Sequence, residues 1–199
     1  MGTKELRKRD TWQDYSGANV GQAEHVFYDV FLKEFEGTDF IILAKPKEFG
    51  SIYVGIELSK KELSEIYTPD KEIKKHGISP DYVIVNNKTK KKLYVEVKRQ
   101  DGWVEGKKRS AGRGNAHERS CKYFTPGLLR ILREKGKLGD DVLPFWIVFQ
   151  GDITRDPCRV REITCWFDDR QEHFFMWRNS ADSVSLINHF NKKLKHLLT

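Results

Sequence analysis

Two acidic residues and one lysine have the types and spacing of a site for metal-assisted hydrolysis. Alternation along the apolar run 93–98 predicts a strand with Glu96 and Lys98 on the same face. Asp81 stands at the head of the preceding apolar run, and a hairpin centred at 88–89 would place it opposite Glu96. Directly opposed residues have Cβ atoms about 5 Å apart, which lets two carboxylates share one divalent ion.

Phosphodiester hydrolysis is the chemistry that this set of residues would suit. It needs stabilisation of the charge that develops at phosphorus and a water that is positioned and nucleophilic near neutral pH. We expect Asp81, Glu96 and the carbonyl of Val97 to bind Mg²⁺, a hard ion that prefers oxygen ligands. Lys98 would orient the attacking water, and the sequence leaves open whether it also accepts the proton of that water.

The Glu-x-Lys pattern is weak by itself, because it occurs three times in the chain. Two copies begin at Glu72 and Glu105, and only the copy at Glu96 lies in an apolar strand with Pro-Asp one hairpin earlier. The alternative interpretation is a surface salt bridge between Glu96 and Lys98, with Asp81 serving as a turn residue. The strand context favours the catalytic interpretation.

The surrounding pattern predicts an α/β fold with a central mixed β-sheet flanked by helices. Glu24 lies on the first predicted helix and could add a third carboxylate, but its neighbours favour an ordinary polar face, so it is not included in the catalytic set. The predicted helices cover 22–36, a short segment opened by the capping box Ser59–Glu62, a segment opened by Thr125 and Pro126, and 184–197; the predicted strands cover 40–44, 82–85, 93–97, 145–149, 163–167 and 173–177.

Composition is that of one folded domain covering residues 1–199, with 38% hydrophobic and 12% aromatic residues. No stretch resembles a secretory signal or a membrane span, so we expect a cytoplasmic protein of a bacterium. Cys121, Cys158 and Cys165 lack paired spacing, which predicts free, buried thiols and argues against a disulfide framework or a zinc site.

Net charge is +7, and residues 107–122 hold six basic side chains against the single acid Glu118. Within this segment two glycines flank Arg113, so the backbone could approach a ligand closely. Arginine suits guanine, asparagine suits adenine, and alanine suits the thymine methyl group, so Arg113, Asn115 and Ala116 could read bases in a major groove. The alternative is a flexible basic loop that touches only phosphates.

Nucleotide-binding loops are not indicated by the glycines of this region. The run 102–108 has three residues between its glycines where a phosphate-binding loop needs four, and Lys108 stands where Ser or Thr should follow the lysine. The run 112–114 lacks a third glycine at the offset of a dinucleotide fingerprint. We therefore expect no nucleotide cofactor, and we interpret His117 as a polar or packing residue.

Several longer stretches closely resemble the MunI-like type II restriction endonucleases, in the EcoRI-like branch of the PD-(D/E)XK superfamily. The resemblance implies a restriction-endonuclease core, Mg²⁺ dependence and a homodimer that binds double-stranded DNA. It also implies a palindromic target with AATT at its centre, CAATTG for this family, cut to leave four-base 5′ overhangs. The stretches are SPDYVI (79–84), EVKRQDGWVEGK (96–107), SAGRGNAHERSCK (110–122), FTPGLL (124–129), LPFW (143–146) and GDITRDP (151–157).

Within that resemblance, Asp81, Glu96 and Lys98 match the catalytic positions of a hairpin at about 80–98. The DNA-reading segment spans about 107–122, and Arg113 is expected to read the outer C·G pair. The positions matching the region that contacts bases are Arg113, Gly114, Asn115, Ala116, Glu118 and Arg119.

Two other functions remain open from the residues themselves. One is a nuclease on the same core that reads DNA shape instead of sequence. The other is a DNA-binding module without catalysis, in which Glu96 and Lys98 form only a salt bridge. Phosphate contacts from the basic segment would make binding weaken as salt rises in each case.

Overall fold

Five strands form one mixed sheet in the computed structural model, which describes residues 24–102, 104 and 117–199. The spatial order of the strands follows the chain order. The first three strands form an antiparallel meander, and the last two run parallel to the third. Their bounds are β1 Phe40–Ala44, β2 Tyr82–Asn86, β3 Lys92–Arg99, β4 Phe145–Gln150 and β5 Phe174–Trp177.

Five α-helices accompany this sheet in the described part of the chain. The predicted capping box of α2 is present, with Ser59 and Glu62 each accepting from the other's backbone N–H. Thr125 and Pro126 begin α3, as predicted. No helix among the described residues is long and apolar enough to span a membrane. The bounds are α1 at 24–34, α2 Lys60–Glu65, α3 Pro126–Gly136, α4 Pro157–Phe167 and α5 Ser183–His189, after which a π turn covers Phe190–Leu194 and a 3-10 turn covers Lys195–Leu198.

The sheet separates two hydrophobic clusters, and this separation confirms the alternation predicted for β3. Val95 and Val97 belong to the cluster that contains Phe27 of α1 and Leu186 of α5. Tyr94 points to the opposite cluster, which contains residues of α3 and α4, Leu128 and Ile163 among them. Glu96 and Lys98 share the face of Tyr94 by the same alternation.

The hairpin of β2 and β3 has the register predicted from the sequence. Tyr82 pairs with Val95 and Val85 pairs with Lys92, so the residue before Tyr82 falls opposite Glu96. The turn is stabilised by Asn86, whose side chain accepts the backbone N–H of Lys88 at 2.8 Å. The hairpin therefore delivers Asp81 to the same end of the sheet as Glu96.

Two predictions are wrong. The run 163–167, predicted as a strand, is the last part of helix α4. The Asp156 side chain caps this helix and Pro157 is its first residue. The prediction failed because a five-residue apolar run such as 163–167 fits a helix and a strand equally well. The three cysteines are free, as expected, but they are not buried: Cys121 is partly exposed, and Cys158 and Cys165 are exposed.

Candidate active site

Asp81 lies immediately before β2, and its side chain is turned toward β3. The residue is 6% exposed. Its Oδ2 accepts the backbone N–H of Val97 at 2.9 Å, which fixes the carboxylate against the strand that carries Glu96. The predicted meeting of the two strands at this point is therefore confirmed.

Glu96 is held from both sides by donors. Its Oε1 accepts from Lys98 Nζ at 2.5 Å, and its Oε2 accepts from the Tyr123 hydroxyl at 2.8 Å. Lys98 Nζ also lies 3.9 Å from Asp81 Oδ2. The structure thus brings Asp81, Glu96 and Lys98 into one patch. We call these three residues and Lys45, which is described below, the acidic cluster.

The ion pair between Glu96 and Lys98 exists, but it is not the surface salt bridge of the alternative interpretation. The side chains are 7% and 19% exposed, so both groups have lost most of their water. Burying two carboxylates in one patch costs free energy unless cations or hydrogen-bond donors compensate. Lys98, the Tyr123 hydroxyl and the Val97 N–H supply that compensation here, and such a set of ionisable groups in one buried patch is typical of functional sites.

Lys45 is a site residue that the sequence analysis missed. It follows β1 directly, and its Nζ lies 2.7 Å from Asp81 Oδ1 and 3.2 Å from Glu24 Oε2. Glu24, which the sequence analysis did not include in the catalytic set, therefore borders the site through Lys45. The backbone carbonyl of Glu24 accepts a hydrogen bond from the Tyr82 hydroxyl at 2.8 Å. Burial alone would lower the pKa of Lys45, but the hydrogen bond to Asp81 and the charges of Asp81 and Glu24 raise it above its ordinary value.

Tyr123 is the second residue that was missed, and it lies 27 positions from its partner Glu96. Burial, together with the negative charge of Glu96, raises the pKa of the Tyr123 hydroxyl above its ordinary value. The hydroxyl thus remains protonated and donates to Oε2. No local pattern marks Tyr123, because only the packing of the segment after the predicted reading residues brings it to β3.

The donor set fits a hard divalent cation. Glu24, Asp81 and Glu96 carry three negative charges against the two positive charges of Lys45 and Lys98, so one negative charge is left in the patch. Among the described residues no group of three or more His, Cys, Asp or Glu side chains could hold a metal ion together. A cation would have to complete its coordination with backbone oxygen and water, as Mg²⁺ commonly does.

Only part of the predicted DNA-reading segment lies among the described residues. Arg113, Gly114, Asn115 and Ala116 fall outside them. Glu118 and Arg119 are exposed at the start of the 3-10 helix Glu118–Phe124, whose buried residues are Ser120 and Tyr123. The segment with the predicted base-contacting residues is therefore followed, within one short helix, by Tyr123, whose hydroxyl donates to Glu96.

His117 precedes that helix and is completely buried. Its Nδ1 lies 3.2 Å from Gln100 Oε1, and its Nε2 lies 3.4 Å from Glu162 Oε2. Its ring stacks on Trp166 with centroids 5.5 Å apart and planes 10° apart. We call these four residues the histidine cluster. Burial and the nearby Arg159 charge lower the pKa of His117, which keeps it neutral near pH 7 and supports its predicted packing role.

Comparison with known proteins identifies this arrangement. The model of the type II restriction enzyme MunI family matches residues 1–199. The type II restriction enzyme MunI of Mycoplasma sp. is 51% identical over 201 residues, covering 100% of both chains. The crystal structure of MunI restriction endonuclease in complex with cognate DNA matches with a TM-score of 0.81 and 49% identity, covering 94% of this chain and 97% of that chain. These matches confirm the predicted restriction-endonuclease fold and enzyme class: the chain belongs to the MunI family of type II restriction enzymes.

Proposed function

We propose that this restriction endonuclease uses Mg²⁺ to cut both strands of CAATTG as a homodimer, leaving four-base 5′ overhangs. The observation that carries the proposal is the single patch formed by Asp81, Glu96 and Lys98, where Lys98 Nζ lies 2.5 Å from Glu96 Oε1 and 3.9 Å from Asp81 Oδ2. Similarity over the whole chain to an enzyme crystallised with its cognate DNA supports the same kind of target. A cytoplasmic location in a bacterium is part of the proposal.

Each residue of the patch has a part in the proposed reaction. A divalent ion bound here would stabilise the charge of the transition state and lower the pKa of a bound water. Asp81, Glu96 and the carbonyl of Val97 would hold that ion. Lys98 would orient the attacking water, since its ammonium group already lies between the two carboxylates. The Tyr123 hydroxyl fixes the orientation of Glu96 through the other carboxylate oxygen.

Base recognition is assigned to the segment that ends at Arg119. In this proposal Arg113 reads the outer C·G pair, because a guanidinium can donate twice to guanine O6 and N7. Residues 114–116, Glu118 and Arg119 would contact bases as part of the same segment. The exposure of Glu118 and Arg119 supports their availability to a ligand.

A homodimer follows from the symmetry of the proposed target. A palindrome presents two equivalent half-sites, and two copies of one chain present two equivalent reading surfaces and two acidic clusters. Each cluster would then cut one strand.

Digestion of a DNA of known sequence with Mg²⁺, followed by sequencing of the ends, tests the proposal. We expect fragments that begin with 5′-AATT at every CAATTG and at no other site. The Asp81→Asn variant keeps the shape of the side chain and should bind the same DNA without cutting it. Scattered ends would instead indicate a nuclease that reads shape, and binding without any nicking by the wild type would indicate a DNA-binding module.

A further inference from the structure

Lys45 occupies a position on Asp81 that the proposed mechanism does not use. Its Nζ lies 2.7 Å from Asp81 Oδ1, whereas the other oxygen, Oδ2, accepts the Val97 N–H. The same ammonium group lies 3.2 Å from Glu24 Oε2. A cation on these two oxygens therefore already balances part of the negative charge of the site.

The backbone holds Lys45 in place with some strain. The β1–β2 register, in which Ala44 pairs with Tyr82, continues to Lys45 and Asp81, and the Lys45 N–H donates to the Asp81 carbonyl at 2.9 Å. Lys45 has a φ of 46°, in the left-handed region that residues with a side chain seldom adopt. Such a conformation persists where the surroundings impose it, and it is enriched at functional sites.

The two lysines of the acidic cluster differ in how freely they could move. The Lys98 side chain is 19% exposed and the Lys45 side chain is 55% exposed. A half-exposed ammonium group on a flexible stem can leave its carboxylate for water at little cost. Lys45 can therefore release Asp81 Oδ1 while Lys98 stays beside Glu96.

We propose that Lys45 is the resident counter-ion of Asp81 and Glu24, which leaves Asp81 Oδ1 when a divalent cation binds, so that metal binding is an exchange of cations. The inference rests on the proposed metal-binding role of Asp81. Lys45 acts through Asp81 and is a positioning residue, not a catalytic one. Before metal arrives, it also reduces the repulsion between the carboxylates and a DNA phosphate.

Two consequences distinguish this role from that of an ordinary salt bridge. Without the Lys45 charge, a divalent cation has no competitor on Asp81 Oδ1 and meets a more negative site, so it binds more tightly. Without that charge and without metal, the carboxylates repel a phosphate more strongly, so DNA binds less tightly. A purely structural lysine would change thermal stability and would leave both affinities unchanged.

Three variants test the exchange. Lys45→Asn removes the charge and keeps a residue type that tolerates the left-handed conformation. Lys45→Arg keeps the charge at the same place. Lys90→Asn is the matched control, because Lys90 has a φ of 61°, is exposed, and lies in the turn at the other end of the hairpin.

Mn²⁺ alone, without DNA, is the first probe, and the loss of its free-ion paramagnetic resonance signal measures binding. We expect Lys45→Asn to bind Mn²⁺ about three- to tenfold more tightly than the wild type, from the removal of one partly screened charge. Lys45→Arg should bind it as the wild type does or more weakly, and Lys90→Asn should match the wild type. The second measurement is affinity for a CAATTG duplex in EDTA, which should fall about three- to tenfold in Lys45→Asn alone.

Unchanged Mn²⁺ affinity in Lys45→Asn would overturn the inference, even if DNA binding in EDTA became weaker, because that pair of results describes a lysine that contacts phosphate directly. Equal changes in Lys45→Asn and Lys90→Asn would overturn it as well, since they would reflect net charge only. If the wild type and Asp81→Asn bound Mn²⁺ equally well, the proposed metal role of Asp81 would itself fail. The two failures are therefore distinguishable.

Discussion

The acidic cluster and the histidine cluster both bury polar side chains at the C-terminal end of β3, but they differ in the charge of the groups at their centres. The acidic cluster collects charges of both signs around Asp81 and Glu96, with one negative charge in excess when Glu24 is included. The histidine cluster is centred on a neutral ring that is stacked on Trp166 and hydrogen-bonded to Gln100. Burial of polar groups is common to both. In the histidine cluster the charge of Glu162 is paired with Arg159 at 2.5 Å, whereas the acidic cluster together with Glu24 keeps one negative charge that a cation could balance.

This difference in charge indicates different roles for the acidic cluster and the histidine cluster. The acidic cluster carries the proposed chemistry. The histidine cluster joins the end of β3 to α4 through Gln100 and Trp166, at the point where the predicted reading segment returns to the described part of the chain. We interpret it as a structural joint. The comparison predicts that the same substitution will have very different effects in the two clusters.

The largest difference is expected for glutamate to glutamine changes. Glu96→Gln removes a charge proposed to hold the metal ion, so the cleavage rate should fall at least about 10³-fold. Glu162→Gln removes a charge beside His117 and should change the rate by less than about threefold, because its partners are structural. Single-turnover cleavage of a CAATTG duplex measures both, with thermal melting as the check on folding. Similar losses in the two folded variants would remove the distinction between the clusters.

A smaller effect is expected from the residue that orients Glu96. Tyr123→Phe deletes the hydroxyl that donates to Glu96 Oε2 and leaves that buried oxygen without this donor. A hydrogen bond to a charged group contributes about 1.5–3 kcal/mol, so the cleavage rate should fall roughly tenfold or more and melting should occur at a lower temperature. The matched control is Tyr94→Phe, whose hydroxyl donates to Glu48 instead. A wild-type rate in Tyr123→Phe would show that Glu96 needs no such support.

The smallest effect concerns pH and the histidine cluster. Burial lowers the pKa of His117 in the folded protein, so the unfolded chain takes up a proton more readily and stability is lost as pH falls below about 6.5. His117→Gln should make the free energy of unfolding depend less on pH between 7.5 and 5.5, measured by urea titration. Some dependence will remain, since burial lowers the pKa of His173 to about 4. A variant with the full wild-type pH dependence would contradict the neutral, buried state of His117.

The hairpin that carries Asp81 and Glu96 could be predicted from the sequence because the signals that specify it are local. A short polar turn joins two apolar runs, and the register follows from the turn position, which is why Asp81 could be placed opposite Glu96. The apolar run of β4 and the capping signals of α2 and α3 were equally local. Their agreement with the structure reflects preferences that act within a few residues of the chain.

Long-range packing explains what could not be predicted. Lys45 reaches Asp81 through the β1–β2 pairing, across 36 positions, and no motif announces that pairing. Tyr123 reaches Glu96 only because the chain returns beside β3 after the predicted reading segment. The error at 163–167 has another cause: Ile163 and Phe167 are one helical turn apart and both buried, but a five-residue apolar run fits a strand equally well.

The parallel pairing of β3 with β4 has a consequence for how such an enzyme could change its target during evolution. Parallel neighbours need a crossover, and the predicted reading segment lies inside the crossover that occupies residues 100–144. The hairpin with Asp81 and Glu96 closes without it. Under the proposed function, substitutions or insertions in the crossover would therefore alter the bases that are read and leave the proposed catalytic hairpin unchanged, provided that His117 and Tyr123 still anchor the end of the crossover.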